Sequence, residues 1–124
     1  MIVTSEYSIR LNMSKEKKFK LPKEAIKELA LGFGACLATD KITVDGEIID
    51  YMYRESPAFD ADSGWRFFSG TEDQAYVDNE NNSSFYDINT IANYDNAIIP
   101  YLGFPIGTEL ERIKGSDNFQ IIPG

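Results

Sequence analysis

Along this chain the apolar and polar positions change period several times. Tyr7, Ile9 and Leu11 alternate with Ser8, Arg10 and Asn12, a period of two that predicts a half-buried strand. Met13–Lys20 is basic and polar and reads as a connecting loop. Pro22 presets φ for a first helical turn, and Ala25, Ile26, Leu29 and Ala30 follow at helical spacing, so a helix is expected up to Gly32 and Gly34. Ala35–Thr39 is a short apolar strand.

Asp45-Gly46 between Ile42–Val44 and Ile48–Tyr53 predicts a hairpin turn. Ile48–Tyr53 is apolar on both faces, as in an inner strand partly covered by helix. Ser56-Pro57 and the Asp60/Asp62 pair mark an exposed loop. In the strand Trp65–Phe68, Trp65 and Phe67 share one face, and Arg66 and Phe68 the other. Thr71 is expected to cap a short helix over Glu72–Val77, and Asp78–Ser84 is a polar loop. Phe85–Ile88 returns as a strand. Asn89–Tyr94 and Asp95–Pro100 read as two helical turns capped by Asn89 and Asp95. Thr108–Ile113 and Asn118–Ile122 pair as a closing hairpin.

These elements predict a single α+β domain. Its centre is a mainly antiparallel sheet of about five to six strands, packed by one N-terminal helix and two or three short helices. Residues 1–33 differ in charge from the rest and are read as a strand-and-helix extension on a core spanning residues 34–122. At 124 residues and 43% hydrophobic content, one core needs no metal or disulfide staple.

Charge sharpens the picture. The formal net charge of −8 divides into +3 for residues 1–31 and −11 for residues 32–124. An acidic body disfavours nucleic acid and anionic membranes, whose phosphates require Lys and Arg, and it speeds encounter with a basic partner. The single cysteine, Cys36, cannot form an internal disulfide, which fits a reducing compartment. The first residues lack a signal peptide's basic and apolar regions, and no apolar run would span a bilayer, so a cytoplasmic location is expected.

Searches for chemistry return little. With no histidine, Ser-His and Cys-His nucleophile pairs are impossible, and one cysteine leaves no zinc set. Gly32-Phe33-Gly34 begins like a dinucleotide fingerprint, but Leu37 stands in place of the third glycine and the order of elements is wrong. The Asp60/Asp62 pair lacks a calcium loop's closing glutamate, since Thr71 occupies that position. Glu109 and Glu111 share a strand face and are expected to meet solvent beside Arg112. No enzyme, cofactor or metal is expected.

Asp62–Gly70, Tyr86–Asp95, Ile98-Ile99-Pro100 and Gly107–Arg112, with Asp45-Gly46 and Tyr51–Glu55 upstream, resemble a bacterial family first catalogued as a domain of unknown function. It is now the thirty-third numbered class of immunity proteins of polymorphic toxin systems. The resemblance runs from about Gly34 to Ile122. It implies an α+β fold and stoichiometric binding that neutralises a cognate toxin, with no catalytic residue or cofactor. The interface candidates are Trp65, Arg66, Asp87, Asn89, Asn93 and Tyr94. Each has a structural alternative: core packing for Trp65, and caps and turns for the Asn and Asp residues. Two rival functions are a small-molecule-binding or regulatory module lined by Trp65, Tyr86, Asn89 and Tyr94, and a carboxylate hydrolase.

Overall fold

A computed structural model describes residues 17–123. Its centre is a six-stranded sheet in the order β4-β1-β3-β2-β5-β6. The strands are β1 (Ala35–Thr39), β2 (Tyr51–Arg54), β3 (Asp62–Phe68), β4 (Ser83–Asp87), β5 (Glu109–Arg112) and β6 (Phe119–Ile121). Only β1 and β3 are parallel; the other four pairings are antiparallel. The strand expected over Tyr7–Leu11 lies outside the described residues.

Register sorts the side chains onto the two faces of this sheet. Cys36 faces Tyr86, Ala38 faces Phe67, Met52 faces both Phe67 and Leu110, and Arg112 faces Phe119. On this side lie the fully buried Trp65, Phe67 and Met52, packed with helix α3 (Ile88–Tyr94) through Ile88, Ile91 and Ala92. A 3-10 turn, Asn96–Tyr101, adds Ala97 and Ile98. Helix α1 (Asp40–Thr43) contributes Ile42. Sequence alternation therefore produces one well-filled core on one side of the sheet.

Gly64 shows how tightly β3 is held. It has φ +92°, and an added Cβ would lie 2.0 Å from the Glu55 carbonyl oxygen, so no side chain fits there.

Four expectations are corrected. After Pro22 only a 3-10 turn, Lys23–Ala25, forms. The backbone of residues 27–30 bonds to side chains of α3, leaving no helical ladder. Asp45-Gly46 is not a hairpin but the end of α1: Asp45 N–H donates to Asp40 O (3.0 Å) and Gly46 N–H to Ile42 O (3.1 Å). A glycine at positive φ, here +78°, closes a helix as readily as it turns a hairpin. Helix α2 (Gln74–Asp78) is capped by Asp73, whose carboxylate accepts from Tyr76 N–H at 2.8 Å, and not by Thr71. Likewise Asp87, not Asn89, caps α3, accepting from Asn89 N–H at 2.8 Å. The Asp95 cap and the closing hairpin stand as expected. Cys36 is buried in the core, and burial pushes its thiol up.

Candidate functional site

The second side of the sheet is built differently. Cross-strand pairing places Phe85 beside Leu37, Leu37 beside Arg66, Arg66 beside Tyr53, and Tyr53 beside Glu109. Tyr51 lies beside Phe68 and Glu111, and Glu111 beside Gln120. A band of rings and charges thus crosses all six strands. The Tyr76–Val77 side of α2 reaches over it, closing a small cleft of about 110 Å³ against Leu37, Tyr53 and Phe68.

Arg66 anchors this face from within. Its Nη2 and Nη1 grip both oxygens of Asp62 at 2.8 and 3.0 Å, and its Nε donates to Glu55 at 2.6 Å. The guanidinium lies under the Phe85 ring, 5.5 Å from its centre. Asp62 also accepts from the N–H groups of Ala58 and Gly64. The Arg66 hydrogen bonds hold the Asp62 carboxyl well below the usual carboxylate range, outweighing the opposite push of burial. A fork-on-fork pair of this kind fixes the β3 start and the loop before it. Asp62 was expected in an exposed loop, and Arg66 gathers it inward.

Beyond Arg66, three rings form a cluster. Tyr53 and Phe68 stack at 5.9 Å, and Tyr51 lies 5.8 Å from each. The Tyr51 hydroxyl donates to Glu109 at 2.7 Å. Burial and then Glu109 push the Tyr51 phenol up, so it stays neutral and donating across the physiological range. At the β4 edge Phe59 meets Phe85 edge-on at 5.1 Å, both about 45% exposed (44% and 46%). Glu109 and Glu111 lie on this side, whereas Arg112 points into the core side and pairs with Asp95. The expected Glu–Arg neighbourhood is therefore split between faces, because adjacent strand residues point opposite ways.

The six residues singled out from the sequence do not form one patch. Trp65 is fully buried on the core side, and its indole N–H donates to Leu102 O at 3.0 Å. Arg66 is buried beneath the open face. Asn89 is buried too: its side-chain oxygen accepts from Leu29 and Ala30 N–H at 2.7 and 2.8 Å, and its amide donates to Lys27 O at 2.8 Å. Asn93 accepts from Lys27 N–H at 2.9 Å. Tyr94 accepts from Leu21 N–H at 3.1 Å. Together they strap residues 21–30 across α3. Asp87 is exposed at the end of β4.

The four residues proposed for a small-molecule pocket also separate. Tyr86 and Tyr94 line a groove of about 220 Å³ with Phe19, Leu21, Ile26 and Thr90, but Trp65 and Asn89 are elsewhere. Sequence reasoning missed Tyr51, Tyr53, Phe85 and Glu109. The usable signal was that Phe68 shares a face with Arg66, opposite Trp65; the register needed to add β2 and β5 was not available.

No helix among the described residues is long and apolar enough to cross a membrane. A comparison with curated proteins and with solved structures finds no match. One family does match, over residues 36–122, which includes all six strands except the first residue of β1. The sheet with both its faces therefore falls within the match, and the chain belongs to the family described as the Immunity protein Imm33 domain.

Proposed function

We propose that this protein neutralises a cognate bacterial toxin by stoichiometric contact, and that the open face of the sheet makes that contact. The observation that carries the reading is the band from Phe85 through Arg66 and Tyr53 to Glu109, which α2 covers in part and in which Phe85 is exposed and Tyr53 and Glu109 are half-buried. Half-exposed rings supply contact area at low entropy cost, and Tyr adds a polar tip that tolerates water before binding. The acidic body suits a basic toxin.

In this reading the sequence candidates take distinct parts. Asp87, two residues after Phe85 on β4, borders that face and Arg66 anchors it from within, whereas Trp65, Asn89, Asn93 and Tyr94 belong to the covered side. The family membership supports the function, and the two-sided sheet supports the location.

The test is co-purification of the tagged full chain with the products of adjacent genes, with rescue of cells expressing them. Capture of a toxic product in one-to-one ratio, with survival of the host, is the expected result. Failure to bind or protect against any neighbouring toxic product would sink the reading. If binding occurs but survives Phe85→Ser and Tyr53→Ser together, the toxin uses another surface.

A further inference from the structure

The open face has an electrostatic feature that the contact reading does not use. Tyr51, Tyr53 and Phe68 are mutually packed rings, each half-exposed. Cations of this chain sit over other rings: Arg66 over Phe85, Lys41 over Tyr76, Arg54 over Trp65 and Arg112 over Phe119. Among the described residues, none sits over the Tyr51–Tyr53–Phe68 cluster. Glu109 and Glu111 border the same rings through the β2–β5 register. Their polar contacts among the described residues are the neutral groups of Tyr51 and Gln120, at 2.7 and 3.2 Å, and no Lys or Arg pairs with either. The fold thus gathers three rings and two carboxylates on one half-exposed surface, and among the described residues no cation pairs with them.

We propose that this cluster is a receptor for a cationic side chain, arginine or lysine, of the bound protein: the alkyl stem and charge lie on the rings, and Glu109 and Glu111 meet the charge. Where the cation comes from rests on the toxin-binding reading; the site itself does not. A ring face attracts a desolvated cation, and a nearby carboxylate adds charge-assisted hydrogen bonds. The partner is therefore a protein with a protruding basic residue at the centre of its contact surface. Tyr51 has a positioning part, since its hydroxyl orients Glu109 across the rings.

The test has two arms. In the first, the full chain is titrated with acetyl-arginine amide and with its neutral isostere, acetyl-citrulline amide, while backbone amide shifts are followed by NMR. Saturable shifts at residues 51, 53, 68, 109 and 111 with the arginine probe, at least about tenfold weaker with citrulline and in Glu109→Gln/Glu111→Gln, are expected. Equal response to both probes, or shifts centred elsewhere, would overturn the proposal. In the second arm, the same double variant and Tyr51→Phe are tested for toxin capture after their melting temperatures are shown to match wild type. A loss of about tenfold or more in the double variant, with a smaller loss in Tyr51→Phe, is expected. Unchanged capture overturns the cation receptor and leaves the immunity reading intact. If wild type captures no toxin, that reading fails instead, and the arginine titration alone decides the receptor.

Discussion

The two faces of one sheet draw on similar residues and put them to different use. On the covered face Trp65, Phe67, Met52 and Leu110 are fully buried, and the one indole N–H finds a backbone carbonyl. The arginines on that side are hydrogen-bonded within the chain: Arg54 donates to Ser63 O and Phe104 O at 2.9 and 2.7 Å, and Arg112 donates to Ile49 O at 2.9 Å and pairs with Asp95. On the open face the rings are half-exposed, two of the three in the central cluster are tyrosines, and Glu109 and Glu111 meet only neutral partners among the described residues. Hydrophobicity alone does not separate the covered face from the open one. Arg66 on the open face is paired as fully as the arginines of the covered face, and the difference lies with Glu109 and Glu111, whose partners among the described residues carry no charge.

That contrast is breakable by mutation, and the largest effect belongs to the covered face. Trp65→Ala should cost about 3–5 kcal/mol of stability by opening a cavity in the filled layer. Urea unfolding measures it, and a loss under about 1 kcal/mol would mean the two faces are packed alike.

Asp62→Asn should come next, at up to about 3–5 kcal/mol, because it leaves the buried Arg66 guanidinium without its counter-charge. The same pair predicts an acid limb. The folded-state carboxyl is depressed, so its contribution is complete above the unfolded value of about 3.9 and is lost as pH falls through that value toward the lower folded one. Thermal melts of wild type should therefore fall on acidification below about pH 4, and Asp62→Asn should flatten that limb. An identical acid slope in both proteins would remove Asp62 from the account.

Asn89→Ala should cost about 1–3 kcal/mol, since it leaves the Leu29 and Ala30 N–H groups without their acceptor, while Lys27 O keeps its bond from Asn93. Hydrogen exchange should speed at Leu29 and Ala30 well before it does in β3. Protection that is unchanged there would show that residues 27–30 dock without Asn89.

Smallest in stability is Phe85→Ser on the open face, expected within about 0.5–1 kcal/mol because the ring is already half in water. If the open face makes the contact, toxin capture should fall far more than stability does. A stability loss comparable to that of Trp65→Ala would place Phe85 in the core instead.

Much of this architecture was legible in the chain. Each of the six strands overlaps an expected one, with the starts of β2 and β3 three residues off, because β-branched and aromatic runs framed by Gly, Asp and Asn point to strands whatever packs on them. Two signals misled. Pro22 followed by helical spacing produced no helix, since Asn89 and Asn93, some 60 residues later in sequence, take the hydrogen bonds a helix would have needed. Asp45-Gly46 ended a helix, since positive φ serves either kind of turn. The candidate site was half legible: Arg66 was marked, and Phe68 was put on its face.

By itself, the sequence determined the α+β class, the burial of Cys36, the closing hairpin and the acidic body, all of which follow from local period and composition. Only tertiary structure decided which face of the sheet the helices would cover and which aromatic residues would lie beside Glu109 and Glu111. That choice depends on strand order and register. The order places β3 between β1 and β2 and puts Tyr53 next to Glu109, and such long-range pairings leave no mark on any single stretch of the chain.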